Sequence, residues 1–214
     1  MKTAAVFFDV DGVLIDSLNA KGDAFAELFP PQHRDRVLEF HRANGGLNRV
    51  DKIKRISSEI VGAQLTSEEV NALVGRFSSV VRARVLAADE VPGASQALAA
   101  LSDRFPLHAV SAVPTTELQE ILHGRGILHF FTSVHGVPPV KAVTLTSLMR
   151  QHGYLSERCL FVGDSLHDRD AAVASSVPFI FVRSSGQQPP PEAVAAVDDL
   201  RGLDSFVVEL MSGG

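Results

Sequence analysis

The chain has 214 residues, a length that fits one large domain or two smaller ones. With 45% hydrophobic residues and a mean hydropathy of +0.13 it can fill a core, which excludes intrinsic disorder for most of its length. Acidic residues outnumber basic ones 25 to 20 and no stretch concentrates Lys and Arg, so neither nucleic acid nor an anionic membrane is an expected partner. The single cysteine, Cys159, cannot form an internal disulfide. After Met1-Lys2 the chain enters a short apolar run that soon meets charge, and nowhere do about 18 apolar residues follow one another. No secretory signal and no membrane helix are read, and the cytoplasm is the expected compartment.

In chain order, Ala4-Ala5-Val6-Phe7-Phe8 is a continuous apolar run that predicts a strand buried on both faces. Residues 16–89 contain no strand-like run and read as successive helices. Asn44-Gly45-Gly46 is a stop signal, and Thr66-Ser67-Glu68-Glu69 is a capping box ahead of a long amphipathic run to about Ala87. Further strands are predicted at Leu107–Ser111, Phe130–Val134, Cys159–Gly163 and Pro178–Val182. Helices are predicted between them at Gly93–Arg104, Pro114–Arg125 and Lys141–His152. Residues 186–191 read as a Pro-rich surface loop. Strand and helix alternate, so the fold class is α/β with a parallel sheet, built from residues 1–15 and 90–214. The all-helical insertion, residues 16–89, joins it by two chain crossings, a layout suited to a lid.

Asp9-Val10-Asp11-Gly12 follows the first strand and places two carboxylates, two residues apart, on one side of extended chain at the sheet edge where α/β folds bind ligands. A calcium loop would need further oxygen ligands where Val13, Leu14 and Ile15 stand. Gly163-Asp164-Ser165-Leu166-His167-Asp168 repeats the arrangement after a later strand. Four aspartates converging at strand ends would drive one another toward protonation unless a cation sat among them, and Mg²⁺ is the natural occupant for an all-oxygen set. Ser111 closes a strand at the same edge. Lys141 opens a helix and is the only lysine after Lys54, in a stretch that otherwise uses arginine.

The segments DVDGVLIDS and VGDSLHD, with the strand-end Ser111 and the isolated Lys141 between them, resemble in order the four motifs of the haloacid dehalogenase superfamily. The resemblance covers nearly the whole chain. It implies a Rossmann-like three-layer core with a helical cap, and a Mg²⁺-dependent phosphatase working through an aspartyl-phosphate. Asp9 would be the nucleophile and Asp11 the general acid/base. Ser111 and Lys141 would hold the phosphoryl group. Asp9, Asp11, Asp164 and Asp168 would serve the metal, with Asp11 acting through its backbone carbonyl. Ala142 follows Lys141 where the family often has Pro, a change that affects only how the helix starts.

Asp11 disfavours dehalogenase and phosphonoacetaldehyde hydrolase chemistry, since those relatives lack an acid/base Asp at this position. The helical insertion resembles the cap of the phosphoglycolate phosphatase and β-phosphoglucomutase group. Arg49, in Asn44 to Lys52, matches the arginine that the mutases place on a distal phosphate, with Asn48 equally suited to cap a helix. Lys52 is read as a second substrate contact or as a solvated lysine. The mutases carry a His shortly after the first motif, and Lys21 stands at the aligned position. Hydrolysis of a small phosphorylated metabolite, such as a sugar phosphate, is therefore expected. The alternatives are a sugar phosphomutase and a catalytically silent phosphate-binding protein. A monomer or homodimer is expected.

Overall fold

The structure, a computed structural model, describes residues 4–183 and 187–212. Six parallel strands form one sheet in the order β3-β2-β1-β4-β5-β6. They are β1 (Ala5–Phe8), β2 (Leu107–Pro114), β3 (Ser133–Val137), β4 (Cys159–Gly163), β5 (Phe179–Val182) and β6 (Ala193–Val197). Helices α5 (Ala94–Ser102), α6 (Thr115–Gly124), α7 (Lys141–His152), α8 (Leu166–Ser175) and α9 (Leu203–Ser212) cover its two faces.

Period-two alternation along the buried strands separates two cores. Val6 and Phe8 of β1, Leu160 and Val162 of β4, and Ile180 and Val182 of β5 face one side, with Leu98, Leu118 and Val207 of the helices there. Ala5 and Phe7, Cys159 and Phe161, and Phe179 and Phe181 face the other, against Leu145, Leu148 and Ala172 of α7 and α8. This is the three-layer α/β architecture expected from the sequence.

The insertion between β1 and α5 is helical throughout: α1 (Leu18–Ala26), α2 (Arg34–Ala43), α3 (Arg49–Arg55), a π turn at Ile56–Val61, and α4 (Ser67–Ala87). Thr66 caps α4 in a full capping box with Glu69. Asn48 caps α3 by accepting from the Asp51 N–H at 3.0 Å. The apolar faces of these helices, through Phe25, Val37, Ile53, Phe77 and Val81, join the same core that lines one face of the sheet. The two chain crossings are bonded to each other: Asp16 N–H donates to the Asp89 carbonyl at 2.9 Å, and Ile15 and Glu90 form an antiparallel bridge.

Some boundaries differ from the sequence reading. Strand β3 begins at Ser133, because Leu128–Phe130 forms a 3₁₀ turn whose aromatic and aliphatic side chains pack down on the core. Strand β2 runs on to Pro114, with its pairing to β3 irregular between Val110 and Pro114, so Ser111 sits at a break in the ladder rather than at a strand end. β6 and α9 lie beyond the strands expected from sequence; β6 is a partly exposed run of Ala and Val at the sheet edge, with little apolar contrast to announce it. Of the Pro-rich loop, residue 186 lies outside the described residues, Gln187 to Pro189 are exposed and Pro190 is buried. No helix among the described residues is long and apolar enough to cross a membrane.

Candidate active site

The chain builds outward from β1 in both directions, to β2 and β3 on one side and to β4, β5 and β6 on the other. The carboxyl ends of β1, β2 and β4 therefore border the crevice where such sheets bind ligands. Asp9 follows β1 directly, its N–H held by the Val162 carbonyl of β4 at 2.8 Å. Asp164 follows β4. Gly12 turns the chain between them in a left-handed conformation (φ 76°), and a Cβ there would lie 2.8 Å from Cγ of Asp164. Only glycine satisfies both the angle and the approach.

Asp9, Asp164 and Asp168 are all buried and each brings a carboxylate oxygen within 4.8 Å of the others. Lys141, at the first turn of α7, reaches into the group. Its Nζ lies 2.9 Å from Asp9 Oδ1 and 2.6 Å from Asp168 Oδ1. The contact with Asp9 is an ion pair outside hydrogen-bonding geometry, leaving Asp9 Oδ1 a buried oxygen without a hydrogen bond. Asp168 is more fully engaged: Oδ1 accepts from Lys141, and Oδ2 accepts from the Ser165 N–H and hydroxyl as the reciprocal half of the α8 cap. Among the described residues Asp164 has no ion-pair partner.

One ammonium does not balance this many buried carboxylates. Burial pushes Asp9 up to about 7; Lys141 pulls it back in part, while Asp168 and Asp11 add to the rise. Burial, and then Asp9 and Asp168, hold Asp164 well above the usual carboxylate range. Lys141 is raised in turn, its carboxylate neighbours outweighing its burial. An under-neutralised, all-oxygen set with an orphaned oxygen suits a hard divalent cation such as Mg²⁺. Asp9 and Asp164 have oxygens free to hold one.

Asp11 stands apart from this trio. Its Oδ1 accepts from Ser17 Oγ at 2.6 Å and its Oδ2 pairs with Lys21 Nζ of α1. Burial alone would raise its pKa, but Lys21 and Ser17 together outweigh it and hold the carboxyl below its ordinary value. Ser111 is buried at the break in β2, where its Oγ accepts from the Val113 N–H at 3.2 Å.

The cap side of the crevice is closed by close packing of a loop. Gly46 lies so near His167 that a Cβ on it would overlap the imidazole's Cβ, and Gly45 faces Ser165 in the same way at contact distance. Arg49 spans from the cap to the sheet domain: Nη2 is 2.7 Å from Glu117 Oε1 of α6, and Nη1 donates to Ser78 Oγ at 2.6 Å. Lys52 is not a solvated lysine. It is 2% exposed, with Nζ 3.1 Å from His41 Nδ1 and 3.4 Å from the Gly45 carbonyl. A cavity of about 50 Å³ between cap and sheet is lined by Asp11, Lys21, His41, Arg49, Lys52 and Phe77, among others. Larger openings of about 370 and 340 Å³ flank it, beside Asp164 and beside Lys141.

The structure thus gathers Asp9, Asp164, Asp168 and Lys141 at one point, with Asp11 in the turn after β1, Ser111 at the break within β2, and Arg49 and Lys52 across the cavity. His41 and Glu117 join the site unannounced, since a histidine inside an amphipathic helix and a glutamate in a first turn carry no sequence signal of their own.

Comparisons with known proteins bear on the family and the fold. A phosphoglycolate phosphatase from Haemophilus influenzae is 27% identical over 179 residues, covering 78% of this chain and 80% of that protein. A structure described as a predicted phosphoglycolate phosphatase from Haemophilus somnus superposes with a TM-score of 0.74 at 19% identity, over 96% of this chain and 98% of that one. A haloacid dehalogenase-like family hydrolase from Streptococcus pneumoniae does so with a TM-score of 0.73 at 19% identity, over 96% and 99%. The haloacid dehalogenase-like hydrolase family matches residues 3–175, and with that span and this fold the chain belongs to it.

Proposed function

We propose that the protein is a Mg²⁺-dependent phosphatase that hydrolyses a small phosphorylated metabolite through an aspartyl-phosphate on Asp9. The observation that carries this reading is the buried trio of Asp9, Asp164 and Asp168 with a single ammonium, Lys141, paired to Asp9 and Asp168 but not to Asp164. Mg²⁺ held by Asp9, Asp164 and the backbone carbonyl of Asp11 would neutralise charge on the phosphoryl oxygens. The chain's own groups do the rest. Asp9 attacks phosphorus in line with the leaving oxygen, and Lys141 and the Ser111 hydroxyl balance charge on the equatorial oxygens. Asp11 gives a proton to the leaving oxygen from its protonated form, the minor one beside Lys21, and then, as the carboxylate, takes one from the water that cleaves the acyl phosphate. Asp168, with both oxygens already engaged, holds Lys141 in place more than it serves the metal.

Residues 16–89 would form the cap that closes over this chemistry, with the loop at Gly45 and Gly46 sealing against Ser165 and His167. Relatives named phosphoglycolate phosphatase make 2-phosphoglycolate the first substrate to try. A phosphomutase would need a cap arginine for a distal phosphate, and the Arg49 guanidinium is bound by Glu117 and Ser78. Phosphate release from a panel of phosphorylated metabolites, with and without Mg²⁺, tests the reading. Metal-dependent release that vanishes in Asp9→Asn supports it; Asp9→Asn turning over every substrate of the wild type would overturn it.

A further inference from the structure

Lys52 is a buried lysine with no carboxylate in ion-pair reach among the described residues. Its neighbours are the His41 imidazole, the Gly45 carbonyl and, at 5.2 Å, the ring of Phe25; no carboxylate pairs with it among the described residues. The other cations of the same cavity are matched, Lys21 by Asp11 and Arg49 by Glu117. An unmatched buried ammonium costs stability unless a ligand completes it. Burial, and then Lys21, push the Lys52 pKa down to about 7, with Asp11 and Asp164 pulling it back in part.

The surroundings aim this group. His41 Nε2 lies 3.2 Å from the Leu18 carbonyl, which can only accept, so Nε2 carries the ring proton and Nδ1 turns its lone pair to Lys52. Burial holds His41 down at about 3, and Lys52 beside it adds to the effect, so it stays an acceptor at neutral pH. One Lys52 N–H is directed at His41 and another at Gly45, which leaves a third for a ligand. The cavity of about 50 Å³ beside it has room for a few waters or a small anionic group such as a carboxylate.

We propose that Lys52 receives a second anionic group of the substrate, a carboxylate one carbon removed from the phosphorylated oxygen, and so selects short phosphorylated hydroxy acids over neutral phosphomonoesters of the same size. The proposal rests on the phosphatase reading above. It makes Lys52 a specificity-determining residue positioned by His41, and it excludes Arg49 from that task.

The test compares kcat/KM for 2-phosphoglycolate and for its carboxamide isostere, with Mg²⁺, in wild type and Lys52→Met. One charge-assisted hydrogen bond predicts that the wild type prefers the carboxylate by about 10- to 100-fold. In Lys52→Met that preference should collapse toward unity, chiefly through a higher KM for the carboxylate. Loss of an unmatched charge should also raise the thermal midpoint of this variant, which reports that it folds. A wild-type ratio near unity, or a preference that survives Lys52→Met, would overturn the proposal. Titration of the wild type with glycolate against glycolamide reads the same discrimination without turnover. If no phosphomonoester is cleaved, the phosphatase reading falls alone, and tighter binding of glycolate than glycolamide still upholds Lys52 while equal binding sinks it.

Discussion

Lys21 of α1 and Asp11 at the end of β1 form an ion pair across the boundary between the inserted helices and the sheet. The pair settles the state of the proposed acid/base group, since burial alone would favour the neutral acid and the ammonium, with Ser17, reverses that. On the reading proposed above, the ionised form is the one that activates water against the acyl phosphate.

Lys21→Met should therefore slow the second half-reaction more than the first. Without the ammonium, burial raises Asp11 and makes the base scarce near neutral pH. We expect steady-state kcat to fall by about 10- to 100-fold, a burst of alcohol product to precede it, and the acidic limb of kcat to move to higher pH. Rapid-quench kinetics and a pH profile check this; a limb that stays in place would show that Lys21 does not set Asp11.

Gly46→Ala tests the seal of the cap. The added methyl would lie well inside van der Waals contact of His167 Cβ, and both atoms are fixed directly to backbone, so the loop must lift or the helix must shift. Overpacking of this kind costs about 1–3 kcal/mol, here charged to the closed form alone. kcat/KM should drop by about tenfold or more while the thermal midpoint changes little, since the loop lies outside both hydrophobic cores. Faster proteolysis of the variant, in the segments joining the cap, would accompany the loss. Unchanged kinetics would mean that closure at this point is dispensable.

The acid trio predicts a pH-dependent stabilisation by metal. Asp9 titrates at about 7 in the folded chain and at about 3.8 in the unfolded one, so between those values the native state holds a proton that the unfolded state releases. Its contribution is full below about pH 3.8 and is lost as pH rises through about 7; Asp164 acts in the same direction. In EDTA the thermal midpoint should fall between about pH 4 and pH 7.5, and Mg²⁺ should restore it at the upper end but not at the lower. Asp9→Asn should flatten the slope. The chain has no Trp, so calorimetry or an added dye is the suitable readout.

Much of this site is legible in the linear sequence because it rests on local geometry. A carboxylate directly after a buried strand and others after a second parallel strand meet at the same sheet edge, which is where Asp9, Asp164 and Asp168 converge, whereas the expected fourth, Asp11, turns its carboxylate to Ser17 and Lys21. Lys141 stands out as a lysine in an arginine-rich stretch. The cap is different. That Lys52 is buried, that His41 orients it and that Glu117 engages Arg49 depend on how helices far apart in sequence pack together, and pairs separated by 11 and 68 residues leave no periodic trace. The edge strand β6 escapes for a related reason: parallel strands announce themselves by burial on both faces, and an edge lacks it.

The ladder joining Asp16 to Asp89 and Ile15 to Glu90 ties the two ends of the insertion to each other as well as to the sheet. Two independent tethers would let the helices slide, tilt and twist. Tethers bonded side by side act as one flat strap and hold the two ends of the insertion in a fixed relation to β1, and so to Asp9 and Asp11 that follow it.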